Sequence, residues 1–460
     1  MLTLSMVVAG KLTAQAPPPA AKSDELTINL ADAITRAAKY GSQVQLAAIL
    51  VRLAHEDRVQ ARAATLPSLS ALSQFIYTEG NGTPSGVFVA NDGVHVYNDQ
   101  AVVHEDLLAL FTRSAIHAAT AAEIVAKAKA DVATRGLTAT VVADYYAIAS
   151  AQRKLGNAQK ALGEAQAFLD ITRKQEAGGE AAHADVIKAQ LQSQQRQRDV
   201  EDAAVSIQKA KIALGVLIFP ALDLNYRIVD DLSTPTSLPV LVSGGLPVFN
   251  EFRTQATGHS AELHAAAAGL EQSKAELGAA RSAYLPSFTL DFYYGIDANQ
   301  FAVRTNYPTP ESGRSTLPNY LVPYRQNLGY SGMATLIFPV WSWGSIRSRV
   351  KQAELRQQQA QLDLSSSQKQ VAANIESAYQ EAQTALNQIE SLRSSSELAA
   401  ESLKLTLLRY QAGEATTLEV VDAQATANGA RIAYDDGLVR YRLALADLRI
   451  LTGQTVGGTP

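Results

Sequence analysis

Three groups of residues have types that could do chemistry, and their spacing argues against each. His259 and His264 flank Glu262 but stand five apart, off the i, i+4 spacing that sets two imidazoles on one zinc ion, so they read as a solvated helix face. His104, Glu105 and Asp106 are adjacent, and in a strand neighbouring side chains point to opposite faces and cannot converge on one metal. Gly329-Tyr330-Ser331-Gly332 places its second glycine one position too early for a nucleophile elbow. No Gly-Lys-Ser/Thr motif offers a phosphate cradle. The 460 residues contain no cysteine, which removes disulfides, thiolate zinc sites, iron–sulfur clusters, a cysteine nucleophile and an acyl anchor on an N-terminal Cys. The expectation is a protein that is not an enzyme, with no metal and no cofactor.

The elements must therefore explain the chain. It is 47% hydrophobic, enough for a folded core, and a prior of ~150 residues per domain suggests about three domains. A formal charge of -4, from 40 Lys+Arg and 44 Asp+Glu, argues against nucleic acid, which needs a basic face. Residues 1–25 read as a signal peptide, though without a basic start, followed by a stiff leader at Pro17-Pro18-Pro19. No later run reaches the roughly 18 uninterrupted apolar residues of a membrane helix, so strands would have to do any crossing.

Two long echoes replace the three-domain prior with a duplication. Ala61-Arg62-Ala63-Ala64-Thr65-Leu66-Pro67-Ser68 returns as Ala280-Arg281-Ser282-Ala283-Tyr284-Leu285-Pro286-Ser287. Ala177-Gly178 with Val186-Ile187-Lys188-Ala189-Gln190 returns as Ala412-Gly413 with Val420-Val421-Asp422-Ala423-Gln424, after a one-residue slip at Gly179. The boundaries that follow are a first repeat at 26–218, a linker at 219–248 containing Pro220, Pro235, Pro239 and Pro247, a second repeat at 249–453 and a tail at 454–460.

Within each repeat the apolar period changes twice, to 2 after the Leu-Pro-Ser marker and to 3.5 in the long helices that follow. Heptad seams run from Leu137 through Val141, Asp144, Ile148 and Ala151 to Leu169, from Val371 through Ile375 and Ala382 to Leu392, and from Ala423 through Ala427 to Leu451. Much of each seam is alanine, which permits close approach but buries little area, so each helix needs more than one neighbour. Long helices are expected at about 112–176 and 341–411, with partners at 181–218 and 415–453 folded back across Gly178-Gly179 and Gly413. Gly156 and Gly163 inside the first long helix suggest a bend or a close contact there. Trp341 and Trp343 fall at the strand-to-helix junction, after Pro339.

Strands with alternating apolar residues are expected at about 66–78, 99–111, 285–297 and 326–340; Phe288, Leu290, Phe292 and Tyr294 mark one apolar face. Their lengths match the 9–11 residues that a tilted strand needs to cross a bilayer. The second is interrupted by His104-Glu105-Asp106, with Glu105 on the lipid side in register with Gly332, so its register slips or it lies near a rim. Four strands cannot close a barrel and open edges are not viable in lipid, so the barrel must be shared between chains.

Taken in order, the two Ala-Arg-x-Ala-x-Leu-Pro-Ser markers, Ile337-Phe338-Pro339-Val340 with Gly344, and Tyr410-Gln411-Ala412-Gly413 leading to Leu418-Glu419-Val420-Val421-Asp422 resemble the outer-membrane efflux protein family, the TolC-like channels. The resemblance spans about Leu26 to Gly453. It implies a mainly α fold with a β-barrel portion: long antiparallel coiled-coil hairpins forming an α-barrel, and four transmembrane strands per chain in a shared 12-stranded barrel. The implied function is the passive exit duct of a tripartite efflux or type I secretion system, as a homotrimer in the outer membrane with a periplasmic extension. Its partners would be a periplasmic adaptor, an inner-membrane pump or ABC exporter, and outer-membrane lipid. A soluble periplasmic coiled-coil adaptor is the alternative that the helical hairpins alone would satisfy.

The family also assigns residues. Its acidic pore constriction falls on Glu419 and Asp422, three apart and so on one helical face; two acids in a first turn also simply favour the helix dipole. Its closing latch falls on Tyr410 and Asp185, with Ala415 where the family has an arginine and Lys188 free to pair with Glu419 or Asp422 instead. Tyr410 is equally readable as a packed aromatic near a helix end. Gly178, Gly179 and Gly413 mark the hairpin tips that would dock the adaptor.

Overall fold

A computed structural model describes residues 26–77, 95–107, 113–229, 232, 249–298 and 328–454; the expected signal segment, most of the proline-rich linker and most of the tail lie outside them. The chain is mainly helical. Its elements are β1 (Leu26–Ile28), α1 (Leu30–Tyr40), α2 (Ser42–Ala63), β2 (Ser68–Tyr77), β3 (His95–Asp106), α3 (Ser114–Ala177), α4 (His183–Ile218), β4 (Tyr226–Ile228), α5 (Phe249–Gly258), α6 (Ala261–Ser282), β5 (Ser287–Ala298), β6 (Leu328–Ile337), α7 (Ser345–Gln411) and α8 (Thr417–Leu451). The order helix, helix, strand, strand, long helix, helix runs from α1 to α4 and again from α5 to α8.

The long helices follow from the seams. None of the seam positions is exposed: Val141, Ile148, Ala382 and Ala427 are fully buried, and even Asp144 is half-buried. At 1.5 Å per residue, α3 with its 64 residues and α7 with 67 each extend about 100 Å. Near the strands, α2, α3, α6 and α7 pack side by side; at the opposite end α4, α3, α8 and α7 do so. The result is a wall one helix thick. Its edge helices carry unpartnered apolar stripes: Leu46, Leu50 and Leu53 on α2, Leu191 and Val216 on α4, and Leu355, Leu362 and Leu398 on α7.

Gly156 and Gly163 make no close contact, since a Cβ at either would meet nothing within 4 Å, and α3 runs through both without a break. The close approach is at Gly437 instead, where a Cβ would lie 2.5 Å from Leu392 Cδ1 of α7. Helix α7 begins at Ser345 rather than 341, because Trp343 and Gly344 are both left-handed, at φ 51° and 80°, and turn the chain between strand and helix. The side chains of Trp341 and Trp343 project from that turn, Trp343 at 90% exposure, with ring centroids 5.7 Å apart.

Strands β2, β3, β5 and β6 form one antiparallel sheet in that order, the same lateral order as the helices α2, α3, α6 and α7 to which they connect. Pairing puts Leu69, Val103, Phe292 and Gly332 in one row and Glu105, Leu290 and Ala334 in the next, on a face that is otherwise largely apolar. Ser68, His104, Asp291, Ser70 and Ser331 occupy the other face, where His104 Nδ1 lies 2.6 Å from Asp291 Oδ1. The second strand runs from 95 to 106, not 99 to 111, ending where Asp106 meets Thr289 of β5. Its ladder to β5 is unbroken from Tyr97 to Asp106, so there is no slip. Glu105 lies on the apolar face beside the strand end, opposite Leu290 and in register with Ala334 rather than Gly332.

The largest core ties the first residues to the chain's midpoint. Tyr226–Ile228, within the expected linker, pairs in parallel with Leu26–Ile28 over Leu137, Val141 and Ile148. The buried Tyr145 hydroxyl donates to the Val229 carbonyl at 2.7 Å. Higher on α3, the buried Glu123 carboxylate accepts from Lys127 at 2.7 Å and from Arg58 and His55 of α2. Lys127 first, then Arg58, hold its pKa down from the usual 4.5 to about 2. A carboxylate with a depressed folded pKa contributes stability that is present above pH about 4.5 and is lost as pH falls toward 2. The protection of the α2 amides, their exchange relative to the intrinsic rate at each pH, should therefore fall across that window, and Glu123→Gln should lower it already at pH 7 and flatten the acid dependence.

Candidate functional site

The two hairpin tips meet at one end of the wall. Each long helix ends in a Schellman turn. Glu180 N–H bonds Gln175 O at 2.8 Å around Gly179 at φ 80°, and Glu414 N–H bonds Arg409 O at 2.9 Å around Gly413 at φ 77°. Gly178 precedes the first turn in right-handed geometry, and His183 Nδ1 crosses back to Glu176 Oε1 at 2.6 Å. Behind the turns Phe168, Leu169, Val186, Ala189, Tyr410 and Val420 form a small core shared by all four helices. Between the tips lies a cleft of about 740 Å³ lined by Asp185, Lys188, Tyr410, Ala415 and Thr417 among others.

Asp185 and Tyr410 thus face one cleft, yet they are not bonded to each other. The buried Tyr410 hydroxyl donates to Thr172 Oγ1 and accepts from Thr417 Oγ1, both at 3.4 Å, and its ring meets Phe168 edge-on at 5.0 Å. Lys188 reaches Asp185 on its own helix at 3.6 Å rather than Glu419 or Asp422, three residues being one helical turn. Glu419 closes a capping box: its carboxylate accepts from Thr416 N–H at 3.3 Å, and Thr416 Oγ1 accepts from Glu419 N–H at 3.3 Å. Its second oxygen lies 3.5 Å from Arg409. Asp422 is exposed one turn later and has no bonded partner among the described residues. No cluster of described residues could hold a metal ion, and no described helix is long and apolar enough to cross a membrane.

Sequence reasoning missed the polar clamps between the two hairpins. Arg431 grips Glu164 at 2.7 Å, while Asp435 holds Asn157 at 2.6 Å and Arg153 at 3.1 Å. Lys154 reaches Asp436 at 2.9 Å. On the opposite side of α8, Arg440 pairs with Glu381 and with Gln388 of α7. The signal available was Asp435-Asp436 interrupting the middle of an apolar seam, where solvation alone gives no reason for a carboxylate pair.

Residues 253–454 match the family described as outer membrane efflux protein. The chain is 25% identical over 187 residues to the outer membrane protein OprJ of Pseudomonas aeruginosa, a stretch covering 41% of this chain and 35% of OprJ, so it spans about a third of that curated relative. Among solved structures, the outer-membrane channel OprN superposes with a TM-score of 0.76 at 18% identity over 93% of this chain and 90% of its own. The outer membrane protein VceC of Vibrio cholerae gives 0.75 at 19% identity over 92% and 96%. The resemblance to the outer-membrane efflux proteins stands. The TolC-like fold covers nearly the whole chain, beyond the matched second half. OprJ, OprN and VceC are outer-membrane proteins by name.

If the Thr172–Tyr410–Thr417 bonds hold the tips together, Tyr410→Phe should loosen them and Asp185→Asn should not. A buried hydrogen bond contributes about 1 kcal/mol, so Tyr410→Phe should raise the population of separated tips roughly fivefold or more. Spin-label distances between Ala181 and Glu414 would measure it; the reverse ranking of the two variants would restore Asp185 as the partner.

Proposed function

We propose that three copies of this chain form an outer-membrane exit duct, four strands from each closing a twelve-stranded barrel whose wall continues as a helical tunnel into the periplasm. One observation carries the reading: a sheet with one largely apolar face and two open edges is joined, strand for helix and in the same order, to a wall of helices that also has unfinished apolar edges. An open edge is untenable in lipid, and the stripes at Leu50 and Leu191 on one side and Leu362 and Leu398 on the other suit a heterologous contact that closes on rotation. The shared element order supports a duplication of 26–218 in 249–453.

The duct is passive, and energy comes from an inner-membrane pump or ABC exporter. The efflux description of the matched family favours a tripartite efflux assembly over type I secretion. The tips around Gly178, Gly179 and Gly413 would receive a periplasmic adaptor. Three copies of Glu419 and Asp422 would ring the entrance, with Asp422, unengaged by any cap, the stronger attractor of cations. A soluble adaptor is the poorer reading, because it has no use for a sheet presenting Phe75, Phe292 and Tyr330, the last at 79% exposure.

Purified in detergent, the chain should be trimeric and open channels in a planar bilayer; a detergent-free monomer that never inserts would end the proposal. Glu419→Gln keeps the capping box and Asp422→Asn keeps the size, so the pair removes charge alone. Together they should raise the concentration of a trivalent cation needed for block by about tenfold, the effect of ~1.4 kcal/mol. Unchanged block would take both residues out of the constriction.

A further inference from the structure

Two carboxylates share the apolar face of the sheet. Asp99 stands exposed toward the loop end; Glu105 stands one residue from the helix end of β3, about 3 Å along the strand from its last residue. Beside Glu105 the face is indented by a groove of about 410 Å³, walled by Pro67, Val103, Leu290, Phe292 and Ala334 and floored by Gly332. The groove exists because β6 offers no side chain at Gly332, where a Cβ would meet nothing within 4 Å, and only a methyl at Ala334. Oε2 of Glu105 borders this groove shut off from solvent, and no donor among the described residues reaches it.

A sequestered carboxylate oxygen without a donor is costly, so a donor is implied. Water fits poorly, since it needs two to four polar partners and the groove is largely apolar, Asp291 being the one charged residue lining it besides Glu105. A second copy of the chain would arrive at the open edge of β6 with β2, whose described residues on this face are Leu69, Ala71, Ser73 and Phe75. None of them supplies a cation. What fits is an amphiphile: an aliphatic chain for the groove and a positive N–H donor for the oxygen.

We propose that Glu105 and the Gly332 groove form a lipid site on the outward face of the sheet, holding a phospholipid with a primary ammonium headgroup. The ammonium donates to the carboxylate, and an acyl chain lies across Gly332 between Phe292 and Val103. This site rests on the membrane-duct reading. The headgroup must be a primary ammonium because a trimethylammonium has the charge but no N–H to give.

The test offers the delipidated full-length protein in detergent an equimolar mixture of phosphatidylethanolamine, phosphatidylcholine and phosphatidylglycerol with identical acyl chains, and reads retained lipid by native mass spectrometry. Phosphatidylethanolamine should be retained about tenfold over phosphatidylcholine. Glu105→Leu should abolish that preference, and Gly332→Leu, which fills the groove while sparing the carboxylate, should lower retention of phosphatidylethanolamine; both variants should keep wild-type channel conductance, showing that the sheet is intact. Equal retention of phosphatidylethanolamine and phosphatidylcholine by the wild type, or a preference surviving Glu105→Leu, overturns the lipid site while leaving the duct standing. A protein that stays soluble without detergent, opens no channel and retains none of the three lipids overturns the duct and the site together.

Discussion

Helices that pack through alanine can come very close and gain very little per residue, and the architecture follows from that. Ala165, Ala189, Ala382 and Ala427 are essentially fully buried, yet each brings only a methyl group to its seam. At ~25 cal/mol per Å² such a seam cannot hold a pair of 100 Å helices alone, so each helix must be flanked on two sides. Flanking on two sides and no more yields a wall one helix thick. Away from the core under β1 and β4 such a wall has little interior, and its two outermost helices keep apolar stripes that none of the described residues covers. The sheet repeats the logic with strands: four in a row, in the order of the helices that feed them, with two edges left over.

Alanine seams have a second weakness, which the polar clamps address. A stripe of near-identical small residues fits its neighbour almost as well after a slip of one turn. Charged pairs do not, because a slipped carboxylate is left unpaired in a half-buried place. Asp435 with Arg153 and Asn157, and Arg431 with Glu164, lock α8 to α3, while Arg440 with Glu381 locks it to α7. Gly437 sits between these clamps and lets Leu392 press against the α8 backbone, adding a steric key to the electrostatic one.

What could be read from the residues depended on whether the governing force acts locally or across the fold. The seams from Leu137 and Ala423 and the alternation from Phe288 to Tyr294 are periodic, and periodicity survives in one dimension. The hairpin turns were legible because only glycine sits comfortably where Gly179 and Gly413 do. The ends of β3 were not, since they are set by pairing with β2 and β5, the latter from a distant part of the chain. Tyr226–Ile228 could not be assigned as a strand within a proline-rich linker, because its pairing partner lies two hundred residues away at Leu26–Ile28. At the tips, spacing put Tyr410 and Asp185 near one another but could not reveal that Thr172, on a third helix, was closer to the hydroxyl.

The distribution of bond lengths along the wall separates a rigid part from a loose one. In the middle, the contacts between α3 and α8 are short and charged: 2.6 Å from Asn157 to Asp435, 2.7 Å from Arg431 to Glu164. At the tips the hydrogen bond between the two hairpins is neutral and long, 3.4 Å from the Tyr410 hydroxyl to Thr172, and the charged pairs there, Lys188 with Asp185 and Arg409 with Glu419, each stay within one hairpin and do not tie the two together. Charge-assisted bonds are roughly twice as strong as neutral ones even at equal length. A load applied at the turns would therefore part the tips before it disturbed the clamps, with Glu164–Arg431 acting as the fulcrum. The same polar economy that leaves the Tyr410 hydroxyl weakly held makes the tip cheaper to reshape than the clamped middle of the wall.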